Sequence, residues 1–394
     1  MDNLKEDFLE FQAMTNPSPL GLTVKKAKGA YITSTTGKKY LDFIAGVSAC
    51  SLGHRHPKVV SAIRKQTKKY MHVMVYGEFA QEPSVTLCKE LVAILPENQE
   101  SIYLTNSGTE AIEGAIKLAK RATGRRELIG SFKSYHGSTH GALSLLGSEH
   151  QKEGYRPLIP GTRFIRFNSI NDLVQITTST AAVLLETIQG GAGFILPNDN
   201  YLKKVKERCQ EVGALLILDE IQPGFGRTGL FFGFEHYSVE PDIVVMGKGM
   251  GGGLPVGAFS ASHSLMRLFK DNPKLGHIST FGGNPVIAAA SLATLRELRD
   301  SQIIFQIKKK EALFRQELKH KKIKEIRGKG LMLALIVENP ETANKIIFKC
   351  LEKGLILFWL LWEKNAIRIS PPLTIKEKEI IRGCRIIQEV LDSI

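Results

Sequence analysis

The chain has 394 residues, 43% of them hydrophobic, so it can bury the core of one large domain or two ordinary ones. Its net charge is +14, but lysines are spread among glutamates on predicted helix faces, which favours a solvated surface over a nucleic-acid or membrane patch. Five widely spaced cysteines without a CxxC pair indicate neither a disulfide framework nor a metal site, and the longest apolar run, 355–362, is too short to span a bilayer. We therefore predict a cytoplasmic protein without nucleic-acid, membrane or metal partners.

A hairpin is predicted near the N-terminus, in GAYITSTTGKKYLDFIAG, with Gly37 at its turn. We assign residues 1–50 to a segment that joins a smaller domain formed by the C-terminal part of the chain. No internal repeat or Pro/Ser-rich linker marks a boundary.

Residues 51–285 are predicted to form a large domain. From residue 100 onwards, short β-rich runs alternate with helical stretches. The runs are SIYLTN, RELIGSF, AAVLLETI, ALLILDE and PDIVVMG, and the helical stretches include GTEAIEGAIKLAKRAT and YLKKVKERCQEVG. This alternation predicts an α/β fold with a mainly parallel sheet covered by helices.

Residues 286–394 are predicted to form the smaller α/β domain. Two long helical patterns, PVIAAASLATLRELRDS and FQIKKKEALFRQELKHK, come first. They are followed by the strand-like KEIRGKGLMLALIVE and, at the end of the chain, by a helix over KEKEIIRGCRIIQEVLDSI.

Lys248 follows an apolar run and is surrounded by glycines without another charge, in DIVVMGKGMGGGLPVGAF. A poorly hydrated site can lower the pKa of a lysine to about 7 to 8, and such a lysine can form a Schiff base. The alternative is a lysine that follows a strand and extends its ammonium to solvent. Taken alone, the motif favours the alternative.

Asp219 and Glu220 end the apolar run LLILDE, at the edge where open α/β sheets bind ligands. A carboxylate there can pair with the protonated ring nitrogen of pyridoxal phosphate. The alternative for Asp219 is a helix cap or turn former.

Two further motifs follow predicted strands. NSGTEA places Ser107, Gly108 and Thr109 before a helix, where backbone N–H groups can bind a phosphate, although Ser107 can equally act as an N-cap. SYHGST places Tyr135 and His136 where an aromatic ring can stack on a flat cofactor.

A dinucleotide-binding interpretation rests on GFGRTG at 224–229, which matches the GxGxxG pattern after a strand. The next residues, LFFGFEHY, do not begin a helix, so this context argues against a nicotinamide or flavin dehydrogenase.

Four features occur together: the candidate phosphate site at 107–109, the aromatic ring of Tyr135, the carboxylate of Asp219 and the amine of Lys248. In this combination the sequence resembles the class III, fold-type I pyridoxal-phosphate aminotransferases, the acetylornithine, ornithine and ω-amino-acid group. The resemblance runs from LDFIAGVSACSLGHRHP to IRISPPLTI and is densest in LDEIQPGFGRTG and MGKGMGGGLPVGA. It implies pyridoxal 5'-phosphate as cofactor, an amino donor and a 2-oxo acid as substrates, and a homodimer with shared active sites. Glutamate-semialdehyde aminomutase is the alternative within the family.

The resemblance implies that Lys248 is the aldimine lysine and proton shuttle, and that Asp219 contacts the pyridine nitrogen. Gln222 would lie near the ring hydroxyl, and Tyr135 would stack on the ring. The other positions assigned to the cofactor are His136, Glu186 and Ile221.

For the phosphate, the resemblance implies Ser107, Gly108 and Thr109 of the same chain. Thr280, in HISTFGGNP, would reach the phosphate of the neighbouring subunit. Arg368, in AIRISPPL, would bind the substrate α-carboxylate through two hydrogen bonds.

Two positions depart from the family pattern. The motif HGRT reads HGST here, so Ser138 replaces an arginine that would contact a distal carboxylate of the substrate. EPIQGE reads ETIQGG, so Gly191 replaces the glutamate that pairs with the carboxylate-binding arginine. Glu186 is retained, and it either orients Gln222 or the ring face or is a structural carboxylate at a strand end.

Overall fold

The computed structural model describes residues 3–198 and 200–394. Within these residues the α-helices are α1 (Leu4–Phe11), α2 (Ala45–Ser48), α3 (Pro57–Thr67), α4 (Glu82–Val92), α5 (Gly108–Thr123), α6 (His140–Ser144), α7 (Tyr201–Val212), α8 (His263–Met266), α9 (Pro285–Asp300), α10 (Ile307–Glu317), α11 (Pro340–Glu352) and α12 (Glu377–Asp392). None of these helices is long and apolar enough to cross a membrane.

The strands of the described residues form three sheets. They are β1 (Val24–Lys28), β2 (Tyr31–Ser34), β3 (Lys39–Asp42), β4 (Ser101–Thr105), β5 (Glu127–Ser131), β6 (Thr162–Ile165), β7 (Thr180–Glu186), β8 (Leu215–Asp219), β9 (Ile243–Gly247), β10 (Gly257–Ala261), β11 (Glu325–Lys329), β12 (Met332–Ile336), β13 (Leu355–Ile356), β14 (Phe358–Trp359) and β15 (Ala366–Ile369).

The largest sheet has seven strands in the order β4-β10-β9-β8-β7-β5-β6. Strands β9, β8, β7, β5 and β6 run parallel, whereas β10 is antiparallel to both of its neighbours. Every residue of β7 and β9 is buried, because helices cover both faces of the sheet. The predicted mainly parallel α/β sheet is confirmed.

Helix α5 forms over the predicted residues and connects two strands of this sheet. The side chain of Ser107 accepts a hydrogen bond from the N–H of Glu110 at its N-terminus. Gly124, with φ of 66°, ends the helix in the left-handed conformation that favours glycine. The buried face is apolar and includes Ile112, Ile116 and Leu118.

The predicted hairpin near the N-terminus is confirmed, since β2 and β3 pair antiparallel and Gly37 lies at the turn with φ of 88°. Strand β3 pairs in parallel with β13, so the sheet β1-β2-β3-β13 joins the two ends of the chain. The boundaries near residues 50 and 285 stay a prediction.

The third sheet, β11-β12-β15-β14, is antiparallel throughout. The prediction of one strand-like stretch over 324–338 is wrong, because this segment forms the hairpin β11–β12. Gly328 and Gly330, with φ of 98° and 61°, adopt conformations that let the chain reverse. Helix α10 is shorter than predicted and ends at Glu317, after which Leu318 has a non-helical ψ of 55°.

Arg227, from the GFGRTG segment, connects the large sheet's loops to the third sheet. Its fully buried guanidinium donates to the carbonyl oxygens of Leu331, at 3.1 Å, and Pro371, at 2.5 Å. The segment continues through turns into a short 3-10 helix, Gly233–Tyr237, rather than into the α-helix of a dinucleotide-binding unit.

Candidate active site

A cavity of about 500 Å³ lies at the carboxyl ends of the parallel strands and is closed on the other side by β14 and β15. It brings together positions that are far apart in sequence, because parallel strands end at the same edge of a sheet. Its lining includes Val47, Gly108, Thr109, Tyr135, His136, Ser138, Glu186, Gly191, Asp219, Ile221, Gln222, Lys248, Phe358, Trp359, Leu361 and Arg368.

Lys248 follows β9 directly and is partly buried, with its side chain on the cavity. Burial, and secondarily the positive charge of Arg368, lower the pKa of its ammonium to about 8, against the opposing effect of Asp219 and Glu186. At pH 7 roughly a tenth of such lysines are neutral, compared with fewer than about one in a thousand for a solvated lysine. The side chain is therefore a competent nucleophile near neutral pH.

Asp219 ends β8 and is held by two hydrogen bonds. Its Oδ2 lies 2.8 Å from Nδ1 of the buried His136, and its Oδ1 accepts from the N–H of Ile221 at 3.0 Å. Nε2 of His136 is buried and has no hydrogen-bond partner among the described residues. The two hydrogen bonds thus fix the orientation of the Asp219 carboxylate, while Nε2 of His136 remains available for a hydrogen bond.

Glu186 ends β7 and binds backbone rather than side-chain donors. Its oxygens accept from the N–H of Tyr135 at 3.3 Å and from the N–H of Gly190 at 3.0 Å. Burial raises the pKa of this carboxyl to about 7, so it titrates in the physiological range.

The neighbouring Glu220 does not line the cavity. Its side chain is fully buried and accepts from the hydroxyl of Thr187 and from the N–H groups of Gly233 and Phe234. Burial raises the pKa of this carboxyl to about 8.

The N-terminus of α5 forms another wall. Because Gly108 and Thr109 lie in its first turn, their N–H groups have no acceptor within the helix, and a helix of this length has a partial positive charge at this end. A β-carbon at Gly108 would lie 2.7 Å from Cδ1 of Ile221, so glycine allows these two walls to meet closely. Ser107 lies just outside the lining residues, with its Oγ 3.3 Å from the N–H of Glu110.

Tyr135, Ser138 and Gln222 lie on the cavity as neutral polar groups. The hydroxyl of Tyr135 is 3.3 Å from Oγ of Ser138, and Nε2 of Gln222 makes a long contact of 3.5 Å with Oγ of Ser48. Thr280 does not line the cavity of its own chain and is exposed.

Arg368 extends from β15 into the cavity and is only 5% exposed. Its guanidinium lies 5.2 Å from the ring centre of Phe194, and its Nε is 3.5 Å from the carbonyl oxygen of Trp359. Burial lowers the pKa of the guanidinium to about 10, which leaves it charged at neutral pH. Nη1 is buried without an acceptor in residues 3–198 and 200–394.

Comparison with known proteins gives one consistent family. Aminotransferase class-III matches residues 12–391. An acetylornithine aminotransferase from Caldanaerobacter subterraneus subsp. tengcongensis is 39% identical over 383 residues, which make up 94% of each chain. The chain belongs to the class III aminotransferases.

Two other similar proteins carry different names. A putative LysW-aminoadipate semialdehyde/glutamate semialdehyde transaminase from Pyrococcus furiosus is 38% identical over 374 residues, covering 95% of this chain and 97% of that protein. The structure of ornithine aminotransferase from Toxoplasma gondii has a TM-score of 0.91 at 30% identity, covering 99% of this chain and 94% of that chain. The predicted fold-type I architecture, the transaminase activity and pyridoxal phosphate as cofactor are confirmed.

The cavity of this aminotransferase fits pyridoxal phosphate by the chemistry of its walls. The cofactor has a phosphate, a ring nitrogen, a ring hydroxyl and an aldehyde. The structure places a helix N-terminus, the Asp219 carboxylate, the Gln222 amide and the Lys248 amine around one space of suitable volume.

Several residues of this aminotransferase that sequence reasoning missed also form the site. Val47 lies in α2, where Ala45 to Ser48 all have positive φ, and this turn brings its side chain to the cavity. Phe358 and Trp359 form an aromatic wall, and Trp362 packs against Gly191. The run FWLLW was the available signal, since three large aromatic residues near the end of a chain are unusual on a plain surface strand.

Proposed function

We propose that this aminotransferase moves an amino group from an amino acid or ω-amine, of the ornithine or acetylornithine kind, to a 2-oxo acid. The observation that carries the proposal is the position of Lys248, whose pKa is lowered to about 8, on the same cavity as the hydrogen-bonded pair Asp219–His136. The acetylornithine and ornithine aminotransferases among the similar proteins support this donor class.

The cofactor, when bound, supplies an electron sink that stabilises a negative charge on the substrate carbon next to nitrogen. In our proposal Lys248 holds the cofactor and moves the proton at that carbon. The N–H groups of Gly108 and Thr109, assisted by the hydroxyl of Ser107, bind the phosphate.

The remaining residues orient the reacting groups. Asp219, fixed by His136, keeps a proton on the ring nitrogen, while Tyr135 and Ile221 pack on the ring and Gln222 contacts its hydroxyl. Glu186 holds the backbone of the loops at Tyr135 and Gly190, and so acts as a positioning residue.

Arg368 binds the substrate carboxylate in this proposal. Its buried Nη1, which has no acceptor among the described residues, supports this role, because a buried charged donor without a partner costs free energy that a carboxylate would recover. Ser138, whose Oγ is 3.3 Å from the hydroxyl of Tyr135, contacts the substrate as a neutral group in this proposal.

We further propose a homodimer with shared active sites. Apolar side chains are exposed on two segments that touch each other through the ring contact of His72 with Phe281 and the hydrogen bond from Tyr76 to Ser279. They include Met71, Val73, Phe79, Val85, Leu275, Ile278 and Phe281. Thr280 lies within this surface, where it can reach a partner's cavity.

We place the enzyme in the cytoplasm. All five cysteines are free, which supports a reducing compartment.

The donor class is tested with a panel of amines, including ornithine, N-acetylornithine and simple ω-amines, each paired with pyruvate and with 2-oxoglutarate. We expect at least one ω-amine to give a high kcat/KM and formation of the corresponding amino acid from the acceptor. If none of the amines donates its amino group while an ordinary α-amino acid does, the ω-amine proposal is wrong.

A further inference from the structure

Gly191 lines the cavity and is in close contact with Trp362. A β-carbon at Gly191 would lie 2.8 Å from Nε1 of Trp362 and 2.9 Å from its Cδ1, so any larger side chain would displace the indole. The backbone N–H of Trp362 also donates to the carbonyl oxygen of Gly191 at 2.9 Å. A carboxylate side chain at position 191 is therefore excluded while the indole keeps its place.

Arg368 has no carboxylate partner within the described chain. The negative charge of Glu186 raises the pKa of Arg368 against the effect of burial. The two oxygens of Glu186, however, accept hydrogen bonds from the N–H groups of Tyr135 and Gly190. Because no ion pair must break, the guanidinium is available to a carboxylate of every incoming substrate.

Within the described residues of one chain, the same cavity offers no further lysine or arginine for a second carboxylate. Of its lining residues, the lysine and arginine side chains are Lys248 and Arg368, and His136 is bound to Asp219. Next to Arg368, the wall contributed by residues 358–361 is apolar and includes Phe358, Trp359 and Leu361. A carboxylate against such a wall would lose hydration without gaining a cation.

We propose that the acceptor is a 2-oxo monocarboxylic acid with an uncharged, apolar side chain, and that Phe358, Trp359 and Leu361 determine this specificity. This inference rests on the proposed function, since it concerns the carboxylic acid that Arg368 binds.

The direct test compares 2-oxopentanoate with 2-oxoglutarate, which match in chain length and differ in a terminal methyl or carboxylate group. The enzyme is first converted to its aminated form, and the reaction with each acid is followed by absorbance. We expect kcat/KM for 2-oxopentanoate to be higher by about tenfold or more. Equal or reversed values overturn the inference and leave the proposed function standing, whereas failure of both acids to react overturns the proposed function itself.

A matched pair of variants tests the apolar wall. Leu361 is half exposed, so Leu361→Arg and Leu361→Gln should both fold. We expect Leu361→Arg to improve 2-oxoglutarate relative to 2-oxopentanoate by about tenfold, because it supplies a cation, whereas Leu361→Gln keeps the wild-type preference. An identical preference in the two variants contradicts the assignment of this wall.

Discussion

At the residue scale, Lys248 has a backbone conformation that lysine rarely adopts, with φ of 42°. Such a conformation costs on the order of 1–2 kcal/mol and persists only where packing enforces it. Part of this packing is at the next residue, Gly249, which lies so close to Ser51 that a β-carbon at Gly249 would be 2.6 Å from Oγ of Ser51. The chain therefore turns sharply after β9, and the turn positions the amine on the cavity.

Replacing Lys248 with alanine should leave a folded protein without turnover. The substitution removes the amine that we propose holds the cofactor and moves the proton, and no other lysine lines the cavity within the described residues. Steady-state assays measure the activity, and circular dichroism with thermal melting controls for folding. Repeated turnover without an added amine would show that another residue performs this role.

The lowered pKa of Lys248 predicts its reactivity in the cofactor-free protein. Only the neutral amine reacts with an acylating reagent, so labelling of Lys248 should rise with pH and reach its midpoint near pH 8, because burial lowers the pKa of this amine to about 8. Competitive labelling from pH 6 to 10, read by mass spectrometry, measures this midpoint, with exposed lysines of the same sample as internal reference. A midpoint near pH 10 would contradict the burial of this amine.

Substitution of Asp219 by asparagine should retain part of the cofactor binding but remove most of the activity. A neutral amide can still accept the hydrogen bond from the N–H of Ile221, but it cannot hold a proton on the ring nitrogen. Parallel measurements of cofactor affinity and kcat separate the two effects. Wild-type kcat in this variant would show that Asp219 has only a structural role.

At the element scale, α5 carries the proposed phosphate site, and its position depends on contact with β10. Gly114 faces the ring of Phe259, and a β-carbon there would lie 2.3 Å from Cε1. The ring cannot easily move, because it is fully buried and stacks on Tyr103 with ring centres 5.2 Å apart. Because Gly114 has no side chain, α5 can pack closely against the sheet at this position.

Gly114→Ala should destabilise the protein by about 1–3 kcal/mol through overpacking against Phe259. The matched control is Gly154→Ala, because a β-carbon at Gly154 meets no atom within 4 Å, and its effect should stay within about 0.5 kcal/mol. Denaturant unfolding of both variants gives the two free energies of unfolding. Similar values for the two would mean that α5 can shift away from the sheet at little cost.

At the scale of the whole molecule, the exposed apolar surface on segments 71–85 and 275–281 has the composition of an interface. Phe79→Glu should shift the protein toward monomers and weaken cofactor binding, because the proposed contact of Thr280 with the partner's phosphate is then lost. Phe305→Glu is the control, since Phe305 is also exposed but lies in the short turn before α10, outside segments 71–85 and 275–281. Sedimentation velocity and cofactor titration measure both effects, and a wild-type monomer with full cofactor affinity would contradict the dimer.

Local patterns were sufficient to predict many elements of this chain. Helix α5 has its N-cap, apolar stripe and C-terminal glycine within a short stretch of sequence, and the strands that precede Asp219 and Lys248 are continuous apolar runs. For the same reason Asp219 and Lys248 could be assigned to one sheet edge. The segment 324–338 was predicted wrongly because its turn is very short: β11 ends at Lys329 and β12 begins at Met332, and the reversal depends on the backbone of Gly328 and Gly330.

The sequence by itself determined the α/β class, the order of the elements and the residues that follow each parallel strand, because each of these depends on neighbours within a few positions. Only the tertiary structure decided which distant groups meet: β3 with β13, His136 with Asp219, and Gly191 with Trp362. It also decided that Arg368 has a buried Nη1 without an acceptor among the described residues. Such contacts join residues that are distant in sequence, and burial, charge and steric exclusion act through space rather than along the chain.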